Sequence, residues 1–322
     1  MARSSRRRGA MDGRRILVTG GAGFIGSHLV ERLSGRNRVT VLDDLSTGSL
    51  QNLASVREEL PLKRASILQP KRLATAMKGH DVVYHLAAKT SVPESVQKPQ
   101  EYWRTNVEGT LNVLKAAVDA KVHRVVFASS AAVYGNAALN PKVETMKPAP
   151  ASPYASTKMV GEFACEEIAS LKGIETVVLR IFNVYGPRQT AASAGVVGRF
   201  CADLAANRPI EIQGDGEQTR DFVFVGDAAA ALELAAEKPV AGQVLNVGSG
   251  RATSVSEVAR LLSEVAEKPV RASRTPAREG DIRDSTADIS RARSKLGFSP
   301  STTLEDGLAR TWEFYRTPQS SS

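Results

Sequence analysis

The chain has 322 residues, 42% of them hydrophobic, and carries a formal net charge of +9. That content suffices for one large domain, or a large domain with a smaller partner, and no apolar run approaches the roughly 20 residues of a membrane-spanning helix. Five of the nine net charges lie in residues 1–15, MARSSRRRGAMDGRR, and no aromatic-and-arginine stripe for stacking bases occurs elsewhere, so a nucleic-acid surface is not expected.

Residues 1–14 read as a flexible basic tail, solvated rather than polyanion-binding, with Met11 an alternative start. The glycines in the following ILVTGGAGFIGSHLV break the apolar character that a secretion signal needs. RILVT at 15–19 is a short apolar β run, then come glycines, and FIGSHLVERLSG has helical periodicity. RVTVLDD is the next strand, DVVYHLAA follows at 81–88, RVVFASS at 124–130 and ETVVLRIFNVYG at 175–186. Helices are predicted between them, over about 97–119 and 153–171. Short β-branched runs alternating with amphipathic helices predict an α/β fold, a Rossmann-type doubly wound parallel sheet over 15–186. After about residue 187, turns such as GDGEQTRD and NVGSGRAT and shorter helices dominate. They predict a smaller C-terminal α/β lobe over 187–318, interleaved with the first and closing over the strand ends, before a frayed TPQSSS. Cys165 and Cys201 lie in helical segments without a second cysteine or a histidine at metal-ligand spacing. They read as buried free thiols in a reducing, cytoplasmic compartment, and no metal site is expected.

TGGAGFIG at 19–26 sits between a strand and a helix, the context in which glycine spacing has meaning. Gly20 suits a tight turn, Gly23 a close approach of backbone to a pyrophosphate, and Gly26 close packing of helix on strand. Free N–H groups at the helix start favour the anion. Asp43, 20 residues after Gly23, ends the second strand, where a carboxylate accepts from a ribose diol and repels a 2′-phosphate. The expected cofactor is NAD rather than NADP.

SPYASTKMVGE at 152–162 places Tyr154 and Lys158 one helical turn apart; by themselves they are equally two residues on a solvated face. The strand RVVFASS ends in Ser129-Ser130, at the carboxyl edge where open α/β sheets place ligands. Ser152 suits the N-cap and Pro153 the first helical position, which puts Tyr154 and Lys158 near the helix start. An ammonium beside a phenol favours phenolate and lowers its pKa, and a serine hydroxyl can hold the alcohol whose proton the phenolate takes. Serine, tyrosine, lysine and NAD suffice for reversible alcohol oxidation.

Together with LDDLSTG, HLAAKTSVPESVQKP, TNVEGTLNVL, SSAAVYG, RIFNVYGPRQ, GDGEQTRDFVFVGD, NVGSG and REGDIRDSTADISRARSKLGF, these motifs run through most of the chain. It resembles the extended short-chain dehydrogenase/reductases, and within them the UDP-hexose 4-epimerases. The resemblance implies a catalytic set of Ser130, Tyr154 and Lys158, with Lys158 also on the nicotinamide ribose. It implies that cofactor is bound by Gly20, Gly23, Phe24, Ile25 and Gly26, and by Asp43, Asp44, Ser46, Thr47 and Gly48. Ser66, Ile67, Leu86, Ala87, Ala88 and Asn106 complete that set with Tyr154 and Lys158. It implies a UDP-sugar substrate on Ser91, Ser130, Tyr154, Asn183, Val197, Arg220, Arg278, Asp281 and Ser285, and a homodimer built from a four-helix bundle.

Members of this superfamily share oxidation at C4 and differ in the later steps. The 4,6-dehydratases carry an Asp-Glu pair where this chain has Ala131-Ala132, and UDP-glucuronate decarboxylases carry a glutamate in the same stretch. A methyl group transfers no proton, so the expected reaction is 4-epimerisation through a transient 4-keto sugar. Ser285 matches a position beside the C2 substituent that is a bulky tyrosine in forms restricted to UDP-glucose. If it is not simply a loop serine, the expected pair is UDP-GlcNAc and UDP-GalNAc, with UDP-glucose and UDP-galactose also accepted. A UDP-glucuronate or UDP-pentose epimerase is the alternative, and a non-enzymatic dinucleotide sensor a remote one. Ser66 departs from the family, which has an aspartate there on the adenine amino group; weaker retention of NAD is expected.

Overall fold

The computed structural model describes residues 12–189, 195–269, 272–276 and 282–317. The first half supplies β1 (Arg15–Thr19), β2 (Arg38–Asp43), β3 (Leu62–Arg64), β4 (Val82–His85), β5 (Arg124–Ser130) and β6 (Glu175–Ile181). Beyond it come β7 (Asn183–Tyr185), β8 (Ile210–Gln213), β9 (Thr219–Arg220), β10 (Phe222–Phe224), β11 (Val244–Val247), β12 (Thr253–Ser254), β13 (Ala272–Thr275) and β14 (Asp284–Ser285). Seven of these form one parallel sheet in the order β11-β6-β5-β4-β1-β2-β3. This is the Rossmann-type order, and it reverses between β1 and β4, where ligands of such sheets bind at the carboxyl ends.

Both faces of the sheet are covered, so its strands are apolar on both sides. Along β1, Ile16 and Val18 pack with helices Phe24–Leu33 and Val225–Glu237, and Leu17 packs with helices Gly109–Asp119 and Pro153–Lys172. A separate core around Phe200, Leu204, Val258, Leu262 and Trp312 supports the smaller lobe. Cys165 and Cys201 are free and buried in these interiors. No helix of the described residues is long and apolar enough to cross a membrane.

After residue 187 the chain returns to the first lobe: helix Val225–Glu237 packs on helix Phe24–Leu33, and β11 extends the main sheet beside β6. The structure differs from the sequence-based expectation in three places. The run expected as one strand over 175–186 changes sheets at Phe182, whose N–H donates to Val247 O at 2.9 Å, while that of Asn183 donates to Asp221 O at 3.1 Å. β6 therefore stays in the main sheet and β7 pairs with β10. Second, the helix expected over about 97–119 is divided into Pro99–Trp103, a π-helical turn Arg104–Glu108, and Gly109–Asp119. Third, of the expected tail, residues 1–11 lie outside the described residues, but Gly13 N donates to Arg36 O at 2.8 Å and Arg14 N to Asn37 Oδ1 at 3.2 Å. Residues 12–14 thus belong to the folded lobe.

Asp221 joins the lobes at the crossover. Its buried carboxylate accepts from Ser249 N and Oγ, Gly250 N and Ala287 N, which fixes NVGSG and the segment before residue 288 against β9 and β10. Removing that acceptor leaves several buried donors without a partner. Asp221→Ala is expected to cost about 3 kcal/mol or more and to lower the melting temperature by at least about 5 °C, measured by calorimetry.

Candidate active site

The turn after β1 is shaped by close backbone contacts. Gly20 has φ +73°, and a Cβ there would lie 2.7 Å from Ala87 N, so only glycine lets the turn lie against the chain leaving β4. A Cβ on Gly26 would come within 2.1 Å of Gly20 O, so the third glycine seats the helix on the turn. Gly23 meets only Gly20 O, at 3.2 Å, which leaves its backbone open to an approaching group. Asp43 accepts from Ala22 N at 2.9 Å and from Leu45 N at 2.8 Å, tying this turn to the loop of Asp44, Ser46, Thr47 and Gly48. Burial pushes its carboxyl up, against the pull of those two N–H groups. A narrow glycine turn at a helix start beside a buried carboxylate fits a dinucleotide. Ile67 is buried and packs on Gly109, while the Ser66 hydroxyl accepts from Leu68 N at 3.3 Å.

Leu86, Ala87 and Ala88 follow β4 and are positioned by residues that the motifs do not include. The Thr110 hydroxyl donates to Asn106 O at 2.6 Å, so toward His85 Nε2, 2.9 Å away, it accepts. His85 Nδ1 then accepts from the Thr19 hydroxyl at 2.8 Å, and Thr19 Oγ1 in turn accepts from Ala87 N at 3.4 Å. Burial and the nearby Lys158 charge push His85 down to about 3, so it stays neutral in this tautomer. Asn106, in the π-helical turn, accepts from Lys89 N at 2.8 Å and donates to Lys89 O at 2.9 Å and Thr157 Oγ1 at 3.1 Å. Its amide pins the wall of the site to the long helix Pro153–Lys172. Ser91 caps helix Val92–Gln97, accepting from Glu94 N at 3.2 Å.

The long helix starts as its sequence dictates, with Ser152 Oγ accepting from Ala155 N at 3.2 Å and Pro153 in the first turn. The structure brings Ser130, Tyr154 and Lys158 together at the end of β5. Ser130 accepts from Ala132 N at 3.2 Å, and its hydroxyl draws the pKa of the Tyr154 phenol down. Lys158 Nζ donates to Ala128 O at 2.8 Å and lies 5.0 Å from the Phe127 ring centroid. The expected lowering of the Tyr154 pKa is not what this arrangement gives: burial pushes the phenol up, and only the Ser130 hydrogen bond pulls it back. Burial also pushes Lys158 down to about 8, so its ammonium is held less firmly than an exposed one. Behind the trio, Ser129 donates to Glu162, which is paired with Arg180 at 2.7 Å. Glu162 stands one turn beyond Lys158, a spacing that extends the Tyr-Lys pattern and is visible in the sequence.

In the smaller lobe, Asn183, Val197 and Arg220 line one pocket with Gln189, Phe200 and Gln218. The side-chain oxygens of Gln189 and Gln218 are buried there without a hydrogen-bond partner. Arg220 donates to Thr219 O at 2.8 Å, and Ser285 on β14 is buried in register with it. Arg278 and Asp281 lie outside the described residues. Among the described residues no cluster of histidine, cysteine or carboxylate groups could hold a metal.

Residues 16–248 match the NAD dependent epimerase/dehydratase family. A UDP-glucose 4-epimerase of Mycolicibacterium smegmatis is 40% identical over 308 residues, 94% of this chain and 98% of that protein. The solved UDP-N-acetylglucosamine 4-epimerase of Methanobrevibacter ruminantium M1, in complex with UDP-N-acetylmuramic acid, aligns with a TM-score of 0.91 at 36% identity, over 95% of this chain and 99% of its own. The UDP-glucuronic acid 4-epimerase of Bacillus cereus, in complex with UDP-glucuronic acid and NAD, gives 0.88 at 32% identity, over 94% and 98%. With the glycine turn and the Ser130-Tyr154-Lys158 set in place, the chain belongs to the NAD dependent epimerase/dehydratase family of extended short-chain dehydrogenases/reductases.

Proposed function

We propose that this enzyme interconverts the C4 epimers of a UDP-hexose, UDP-GlcNAc with UDP-GalNAc and also UDP-glucose with UDP-galactose. The observation that carries the reading is the Ser130-Tyr154-Lys158 set followed directly by Ala131-Ala132, which offer no further acid or base. NAD, held by the glycine turn and Asp43, would supply reversible oxidation of the C4 alcohol. Tyr154 takes the hydroxyl proton and later returns it, Ser130 orients the oxygen, and the Lys158 ammonium favours the phenolate. At the other end of the ligand, Arg220 suits a pyrophosphate, and the buried oxygens of Gln189 and Gln218 would meet ligand N–H groups.

Support for an N-acetylated sugar comes from the small Ser285 beside Arg220. A UDP-glucuronate reading is favoured by the likeness to the Bacillus cereus enzyme. The homodimer is proposed from the apolar face left on adjoining helices. Trp103, Leu111 and Phe163 are 43%, 49% and 54% exposed, whereas Leu114 turns into the core.

The deciding assay incubates the pure protein with UDP-GlcNAc, UDP-glucose and UDP-glucuronate, without added NAD. The expected products are the C4 epimers of the first two; product lacking water or carbon dioxide overturns the assignment. Ser285→Tyr is expected to lower kcat/KM for UDP-GlcNAc by about tenfold or more while sparing UDP-glucose, and unchanged N-acetyl-sugar activity sinks the size argument.

Restoring the family aspartate, Ser66→Asp, is expected to tighten NAD binding by about fivefold in a calorimetric titration. In light scattering the wild type is expected at twice the chain mass, and Phe163→Glu with Leu111→Glu at the monomer mass.

A further inference from the structure

Three consecutive residues at the end of β5 are tied to one face of the long helix. Ser130 meets Tyr154, the carbonyl of Ala128 meets Lys158, and the hydroxyl of Ser129 meets Glu162. The helical partners are spaced i, i+4 and i+8, so they share that face. Glu162 is buried, as is Arg180, whose guanidinium from β6 grips both carboxylate oxygens, with Nε and Nη2 at 3.0 and 2.7 Å. Arg180 also stacks on Tyr134, 4.8 Å from its centroid, and donates to Glu144 O at 3.3 Å. A pair this enclosed contributes little net stability against its desolvation, so its place beside Tyr154 and Lys158 points to a role other than stability.

We propose that Glu162, with Arg180 as its counter-charge, is a positioning residue of the proton-transfer pair: it fixes the end of β5 to the helix and supplies the buried negative charge that faces the Lys158 ammonium. This rests on the assignment of Tyr154 and Lys158 as that pair. The other titratable groups facing Lys158 are neutral. Tyr154 and Cys165, on its own helix, are both pushed up by burial, the thiol to about 12, and His85 from β4 is pushed down to about 3. Glu162 is therefore the anion that opposes the burial of the lysine, and the Arg180 guanidinium bound to its carboxylate offsets part of that charge. Too weak a field would release the lysine proton at working pH. Too strong a field would offset the ammonium that favours phenolate at Tyr154.

The test titrates Lys158 by NMR of ¹³Cε-labelled lysine in the full-length protein, assigned with Lys158→Ala. In Glu162→Gln the anion is gone and the guanidinium remains, so deprotonation is expected at lower pH, by about half a unit or more. In Arg180→Met the anion stands uncompensated, and deprotonation is expected to move up by a similar amount. The basic limb of turnover should follow each shift. Opposite shifts cannot come from general loosening, and either variant carries the test if the other fails to fold. An unmoved titration, or two shifts of the same sign, overturns the proposal. Because the lysine is read directly, that failure is distinct from a failure of the wild type to form an epimer.

Discussion

The structure depends on keeping a lysine charged where water cannot reach it. Among the described residues, a backbone carbonyl, an aromatic face and a carboxylate one turn away replace the hydration of Lys158. The carbonyl and the ring come from β5, the carboxylate comes from the long helix, and Arg180 on β6 holds that carboxylate, which is why β5, β6 and the long helix must meet in one register. The parallel sheet supplies that register through side chains on both of its faces. Rigid placement matters because a phenol in an apolar site stays neutral unless its neighbours are held close.

The two lobes share the burden. Asp221 fixes the strand that carries Arg220, and Asn246 on β11 links Tyr134 to Lys142 and Asp288. Tyr134 in turn lies under Arg180, so one chain of buried polar contacts leads from the smaller lobe to the long helix that bears Tyr154 and Lys158. Such groups are costly to leave unmatched, which favours one relative placement of the lobes over others.

Much of this was legible in the sequence, for identifiable reasons. The glycine turn, Asp43 and the Tyr154-Lys158 spacing are local patterns, and local backbone rules fix where they sit. β1, β5 and the long helix kept their expected limits to within a residue or so because β-branched runs and a serine-proline cap are strong signals. What the sequence could not disclose depends on contacts across the fold. The break at Phe182 is set by Val247 and Asp221, the π-helical turn by Lys89 and Thr157, and the rise in the Tyr154 pKa by burial that no spacing reports. His85 is one of four histidines in the chain, and only its threonine neighbours show why it is neutral.

The return of the chain to the main sheet has a consequence for how the protein can be divided. β11 is made by residues that fall between two parts of the smaller lobe, yet it covers the edge of β6. A fragment ending near residue 187 would bare the hydrogen-bonding edge at Val178 and Leu179 and lose the helix that covers one sheet face. An open apolar edge of that kind pairs with other chains. The lobes are thus one cooperative unit whose boundary lies in space rather than along the sequence, and expressing either alone would trade folding for aggregation.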